Sequence, residues 1–237
     1  MKTIKIVGLS LFAFVASGAT ITYVTPTGST LDGLPENVTA TFTTGLNSLT
    51  VTVENLQTNP TSVIQALSDL AFTFSTGQTA GSLTSSSTTY VDIATNGTYA
   101  ISGSGTTGWA LETNTNGGLR LCVLCTGGLG PEHLLIGGPN SGTNTYSNAN
   151  GSIAGNGPHN PFDYRVATFT LAITGLTVNS TVNSATFSFG TTEGRNITGV
   201  PGGGGGAGGE VPEPSTWVML GSALAALAFK RTGRLTV

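Results

Sequence analysis

Two cysteines three positions apart, Cys122-Val123-Leu124-Cys125, are the side chains of this 237-residue chain best placed for chemistry. Such a pair serves as a redox couple, as half of a zinc site or as a local disulfide. Redox work of this kind wants the first thiol at a helix N-terminus, where its pKa falls, yet the pair follows the strand-like Leu119-Arg120-Leu121. Zinc wants four ligands, and only His133 and His159 lie nearby in sequence. In a regular strand the two thiols point to opposite faces, so a disulfide requires a turn at Val123-Leu124. The favoured reading is a local structural disulfide in an oxidising compartment; free buried cysteines and a metal or redox role are the alternatives.

The remaining chemistry is sparse. His133 next to Glu132, and His159 near Asp163, are the other acid–imidazole neighbours. No Gly-x-Ser-x-Gly elbow accompanies them, so a nucleophilic triad has no sequence support beyond abundant serines. Paired carboxylates for glycoside hydrolysis can be drawn from any of nine acids and therefore say little. No Asp-x-Asp-x-Asp-Gly calcium loop occurs. The expectation is a protein without catalytic residues, metal or cofactor. Four rings, Trp109, Tyr146, Phe162 and Tyr164, lie in or beside polar loops and offer stacking faces for sugars. The plainer reading makes Trp109 and Phe162 core caps and the tyrosines ordinary half-exposed residues.

The elements that must hold these groups read as strands. Val38–Phe42 and Leu49–Val53 alternate with period two, and the second puts Leu49, Val51 and Val53 on one face and threonines on the other. Tyr90–Ala94 and Thr98–Ile101 flank Asn96-Gly97, a hairpin signal because both residues tolerate positive φ. Trp109–Glu112 and Leu119–Leu124 form another pair, and Ala167–Ile173 and Val182–Phe189 close the series. Pro60–Leu70 is the best helix candidate, with Val63, Ala66, Leu67 and Leu70 at helical spacing. Thr126–Pro161 reads as a long loop anchored by Leu134, Leu135, Ile136 and Ile153, and long ordered loops are more often functional than idle. Many one-sided strands need two packed layers, so the expectation is an all-β, antiparallel β-sandwich or jelly-roll-like domain with one short helix.

Charge narrows the function. Within 20–200 there is no lysine, and Arg120, Arg165 and Arg195 face nine acids, a net of −6. Nucleic-acid binding needs a basic footprint to release counterions, and none exists here. Solubility must come from Thr, Ser and Asn.

Both ends carry addresses. Lys2 and Lys5 precede an apolar run from Ile6 to Ala16, followed by Ser17, Gly18 and Ala19: the pattern of a secretory signal peptide over 1–19. The domain then spans 20–200 and a glycine-rich linker 201–210. In 211–237, Pro212-Glu213-Pro214 precede an apolar run from Trp217 to Phe229, which the basic residues Lys230, Arg231 and Arg234 follow. As a helix those thirteen residues cover about 20 Å, short of the ~30 Å hydrocarbon core, and the basic end favours retention on the cytoplasmic side with the domain outside.

Val211-Pro212-Glu213-Pro214, the apolar run and Lys230-Arg231-Thr232-Gly233-Arg234 resemble the PEP-CTERM sorting signal of exported bacterial proteins. The segments from Asn150-Gly151-Ser152 and Pro158–Phe162 to Thr186–Thr191 are similar to stretches common in PEP-CTERM cargo domains. The resemblance implies recognition by an exosortase, an integral-membrane cysteine protease or transpeptidase, after passage through the export machinery. It also implies a host that makes exopolysaccharide. The expected role is a secreted or surface/extracellular-matrix structural protein, membrane-tethered through its C-terminal helix before processing. An exopolysaccharide- or glycan-binding module is the alternative, and a secreted hydrolase the least favoured reading.

Overall fold

The computed structural model describes residues 18–192 and 194–202. The apolar run of the signal peptide, most of the glycine linker, and Pro212, Glu213, Pro214, Trp217, Phe229, Lys230, Arg231 and Arg234 lie outside the described residues. No helix among the described residues is long and apolar enough to cross a membrane.

Fifteen strands occur among the described residues. The first five are β1 (Thr20–Val24), β2 (Thr30–Leu31), β3 (Leu34–Pro35), β4 (Val38–Gly45) and β5 (Ser48–Asn55). After a tight turn come β6 (Leu67–Phe74), β7 (Ser82–Ile93), β8 (Tyr99–Gly105), β9 (Ala110–Thr115) and β10 (Gly118–Cys122). The long loop contributes β11 (Leu135–Ile136), and β12 (Phe162–Ala172), β13 (Val182–Phe189), β14 (Asn196–Thr198) and β15 (Val200–Pro201) complete the domain. Thirteen of them make one continuous, mostly antiparallel sheet, and β2 and β3 form a separate hairpin.

Within that sheet β15-β1-β4-β5-β12-β7-β8 are successive neighbours, as are β14-β13-β6-β10-β9. The two runs are joined through β11, which pairs parallel with β12 and meets β6 at Leu135↔Leu67. Their apolar faces meet. Phe42 of β4 lies 5.2 Å, centroid to centroid, from Phe72 of β6, and Trp109 lies 5.4 Å from Phe169 of β12. The Tyr23 hydroxyl donates to the Val182 carbonyl across the same gap at 3.1 Å. Phe42, Phe162, Phe169, Phe187 and Phe189 are wholly buried, each contributing about 2–3 kcal/mol of transfer free energy.

The opposite face of β1, β4, β5 and β12 is hydroxyl-lined. The register aligns Thr20, Thr43, Thr50, Thr170 and Ser85 in one row, and Thr22, Thr41, Thr52, Thr168 and Ser87 in the next. Thr22 and Thr41 join their hydroxyls at 3.0 Å, as Thr20 and Thr43 do at 3.2 Å. Threonine suits this position because its branch favours extended backbone while its hydroxyl stays wet. Here is the solubility that charge does not supply.

The expected helix over Pro60–Leu70 is not formed. Only Val63–Gln65 coil, as one 3₁₀ turn, and Leu67 already belongs to β6. The Gln65 side chain accepts from the Thr61 backbone N–H at 2.6 Å, and the Gln65 carbonyl accepts from Asn55 at 2.9 Å, which ties the turn down after one step. Leu67, Leu70, Phe72 and Phe74 then gain more from sheet partners on both sides than a lone short helix can return. The long loop takes over the covering role. Leu134, Leu135, Ile136 and Ile153 are fully buried, and the Ser152 hydroxyl accepts from the Val63 N–H at 2.9 Å.

Candidate functional site

β10 ends at Cys122, and the chain turns at once, so Cys125 comes back to within 5.7 Å (Cα to Cα) and the two sulfurs are bonded. The Glu112 carboxylate lies within 4.8 Å of both sulfurs, a grouping of the kind that can hold a metal. It holds Arg120 instead, whose Nε donates at 2.9 Å, and bonded sulfurs have no thiolate to give a metal. The ring closed by this disulfide is short, so it constrains the unfolded chain little. Replacing both cysteines with serine is expected to cost only about 1–2 kcal/mol, read as a small shift in urea midpoint. A loss of all cooperative unfolding would contradict this.

The histidines are partnered differently from their sequence neighbours. His133 places Nδ1 3.0 Å from Oδ1 of Asp163, the residue expected beside His159. His159 instead sets Nδ1 2.6 Å from the Ser152 carbonyl. His133 adopts a left-handed backbone, φ 63°, and is held on three sides. Its N–H donates to the Pro161 carbonyl at 2.9 Å, its carbonyl accepts from the Trp109 indole at 2.8 Å, and Tyr90 meets its ring edge-on at 5.0 Å. Gly108 is required beside it, because a Cβ there would sit 2.9 Å from the imidazole.

Burial pushes the Asp163 carboxyl up to about 7, against the downward pull of the His133 hydrogen bond. The same hydrogen bond raises the His133 imidazole, with burial opposing. Among the described residues no hydroxyl or thiol hydrogen-bonds to the His133 ring. The pair's evident work is to brace the long loop against β12.

Three of the four rings offered as stacking faces for sugars are buried. Trp109 is 5% exposed, Tyr146 1% and Phe162 not at all, and the Tyr146 hydroxyl is spent on the Gly137 carbonyl at 2.8 Å. Trp109 and Phe162 are core residues, as the plainer reading had them, but Tyr146 is core too. Their loops looked solvated in sequence because the apolar surfaces they cover come from distant strands.

Tyr164 is the exception, and it has company that sequence reasoning missed. Half-buried Tyr99, at the start of β8, lies nearly parallel to it, 26° between planes and 6.1 Å between centroids. The Tyr99 hydroxyl donates to Oδ1 of exposed Asn144 at 3.0 Å, and buried Tyr146 supports the Tyr99 ring edge-on at 5.7 Å. Beside Tyr164, Arg165 is exposed and also left-handed, φ 64°, where β12 breaks register with β7 between Asp163 and Ala167. Burial raises the Tyr164 phenol above its usual range, Tyr99 adds to this, and Arg165 opposes it. Arg120 and Arg195 are each paired to a carboxylate, Glu112 and Asp32, whereas Arg165 has no carboxylate partner among the described residues. The only signal in the sequence was a tyrosine just past the Asn-Gly turn, and nothing there linked it to Tyr164.

No curated protein and no solved structure matches this chain. A family model, the PEP-CTERM protein-sorting motif, matches residues 210–231, a stretch containing Pro212, Glu213, Pro214 and the apolar run from Trp217 to Phe229. The chain therefore carries a PEP-CTERM sorting motif behind an all-β domain, and that motif implies export and handling by an exosortase-type membrane enzyme.

Proposed function

We propose that this is a non-enzymatic structural protein of the cell surface or extracellular matrix, whose C-terminal signal holds it in the inner membrane until processing releases or anchors it. The sorting motif over 210–231 carries this reading. Two features of the domain support it: the uncharged threonine rows and the long loop cross-braced by the His133–Asp163 hydrogen bond. The two runs of strands, joined at β11 and facing each other through Phe42 and Phe72, are read as a jelly-roll-like sandwich. Replacing Pro212, Glu213 and Pro214 together with alanine is expected to leave export intact while the product changes in mass or moves between cell fractions. Intact mass and fractionation unchanged from the parent would defeat the proposal.

A second reading, glycan binding, is favoured by one observation. The parallel Tyr99 and Tyr164 rings, with Asn144 and Arg165 beside them, present aromatic faces and hydroxyl-matching donors at the surface.

A further inference from the structure

We propose that the surface formed by Tyr99, Tyr164, Asn144 and Arg165 binds the uronic-acid units of an acidic glycan, an assignment that rests on the glycan reading above. The two phenol rings are near parallel but their centroids are 6.1 Å apart. Rings overlapping face to face would lie closer, so each is offset and leaves much of its face uncovered by the other. A pyranose ring has a C–H face that packs on such a surface and hydroxyls around its rim. Asn144 uses its carbonyl oxygen on Tyr99, which leaves its two amide hydrogens for those hydroxyls.

Arg165 sets the ligand class. It is the one arginine among the described residues without a carboxylate partner, on a domain that is otherwise acidic. A planar guanidinium grips a carboxylate with two parallel hydrogen bonds, and a sugar that carries a carboxylate is a uronic acid. Its backbone points the same way. A left-handed, non-glycine residue inside a strand is a costly conformation that the surroundings must enforce, and such outliers gather at binding sites. The site also has a floor: Tyr146 supports Tyr99 edge-on, and the Arg165 stem lies beside buried Gly138, where a Cβ would be 3.6 Å from its Cδ.

The test is titration calorimetry of the secreted protein with trimers of galacturonate, mannuronate and glucuronate, and with their methyl esters, which keep the sugar and remove the charge. At least one acid trimer is expected to bind with a Kd of about 1 mM or tighter, and its ester at least about tenfold more weakly. Arg165→Gln should erase the difference between acid and ester, whereas Tyr164→Leu should weaken both. Arg165→Gly, which relieves the left-handed strain, should raise the Tm while losing the acid preference; this separates a site from a merely structural arginine. Equal binding of acid and ester by the parent protein would overturn the uronate assignment and leave glycan binding standing. Absence of heat with every trimer, or unchanged affinity in Tyr164→Leu, would overturn both.

Discussion

Asp163→Asn is expected to stabilise the protein at pH 8 by about 2 kcal/mol and to change it little near pH 4. The direction follows from the sign of the shift. Asp163 is fully buried and its carboxyl is pushed from an ordinary 3.8 up to about 7, chiefly by burial. Below 3.8 the carboxyl is protonated folded or unfolded, and nothing is lost. Between there and about 7 the unfolded chain releases a proton that the folded chain retains, so stability drains away as pH rises. The amide keeps an oxygen to accept from His133 without a charge to desolvate. Continuous Coulombic gain does not offset this, because taking a carboxylate and an imidazolium out of water costs more than their contact returns. His133→Leu should act in the opposite sense, losing about 1–2 kcal/mol at pH 8 by depriving a buried carboxylate of its imidazole partner. Urea unfolding of both variants at the two pH values checks the claim; the same sign for both at pH 8 would refute it.

Glu36→Gln is expected to stabilise by about 2–3 kcal/mol at pH 8 and to flatten the pH dependence of the melt between pH 5 and 9. Glu36 is 4% exposed, and neither of its carboxyl oxygens has a hydrogen-bond partner among the described residues. Burial raises its carboxyl from 4.5 to about 9, so it stays protonated through neutral pH. Its contribution is whole below 4.5 and is lost progressively up to about 9, the same direction as Asp163. The raised His133 imidazole adds to the trend, since what it gains is present below 6.5 and lost as pH climbs through its raised value. The unmodified protein should therefore melt at higher temperature at pH 5 than at pH 8. Calorimetric melts of parent and Glu36→Gln that move in parallel across this range would show that Glu36 is not the titrating group.

The strands were legible because their signal is local. Leu49, Val51 and Val53 alternate with threonines, and that alternation alone fixes which face of β5 is buried. Asn96-Gly97 marked the β7–β8 turn for the same reason. The sorting address was legible too, since proline, glutamate, an apolar run and a basic end are read by order along the chain rather than by folding. Pro60–Leu70 misled because Val63, Ala66, Leu67 and Leu70 fit a helical period by position. Only the neighbours of Leu67–Phe74, β10 and β13, reveal that sheet pairing outbids a short helix.

Partnerships across distance are what the linear chain withheld. His133 meets Asp163 rather than Glu132, Tyr146 and Phe162 go inside, and Tyr99 arrives beside Tyr164, sixty-five residues away. Each depends on β11 slotting between β6 and β12, a single short pairing that draws the long loop across the fold. Sequence determined the strands, their faces and the address because those are set by neighbouring residues. Tertiary structure decided the site, because contact between remote side chains is a property of how strands are ordered and of which surfaces close over one another.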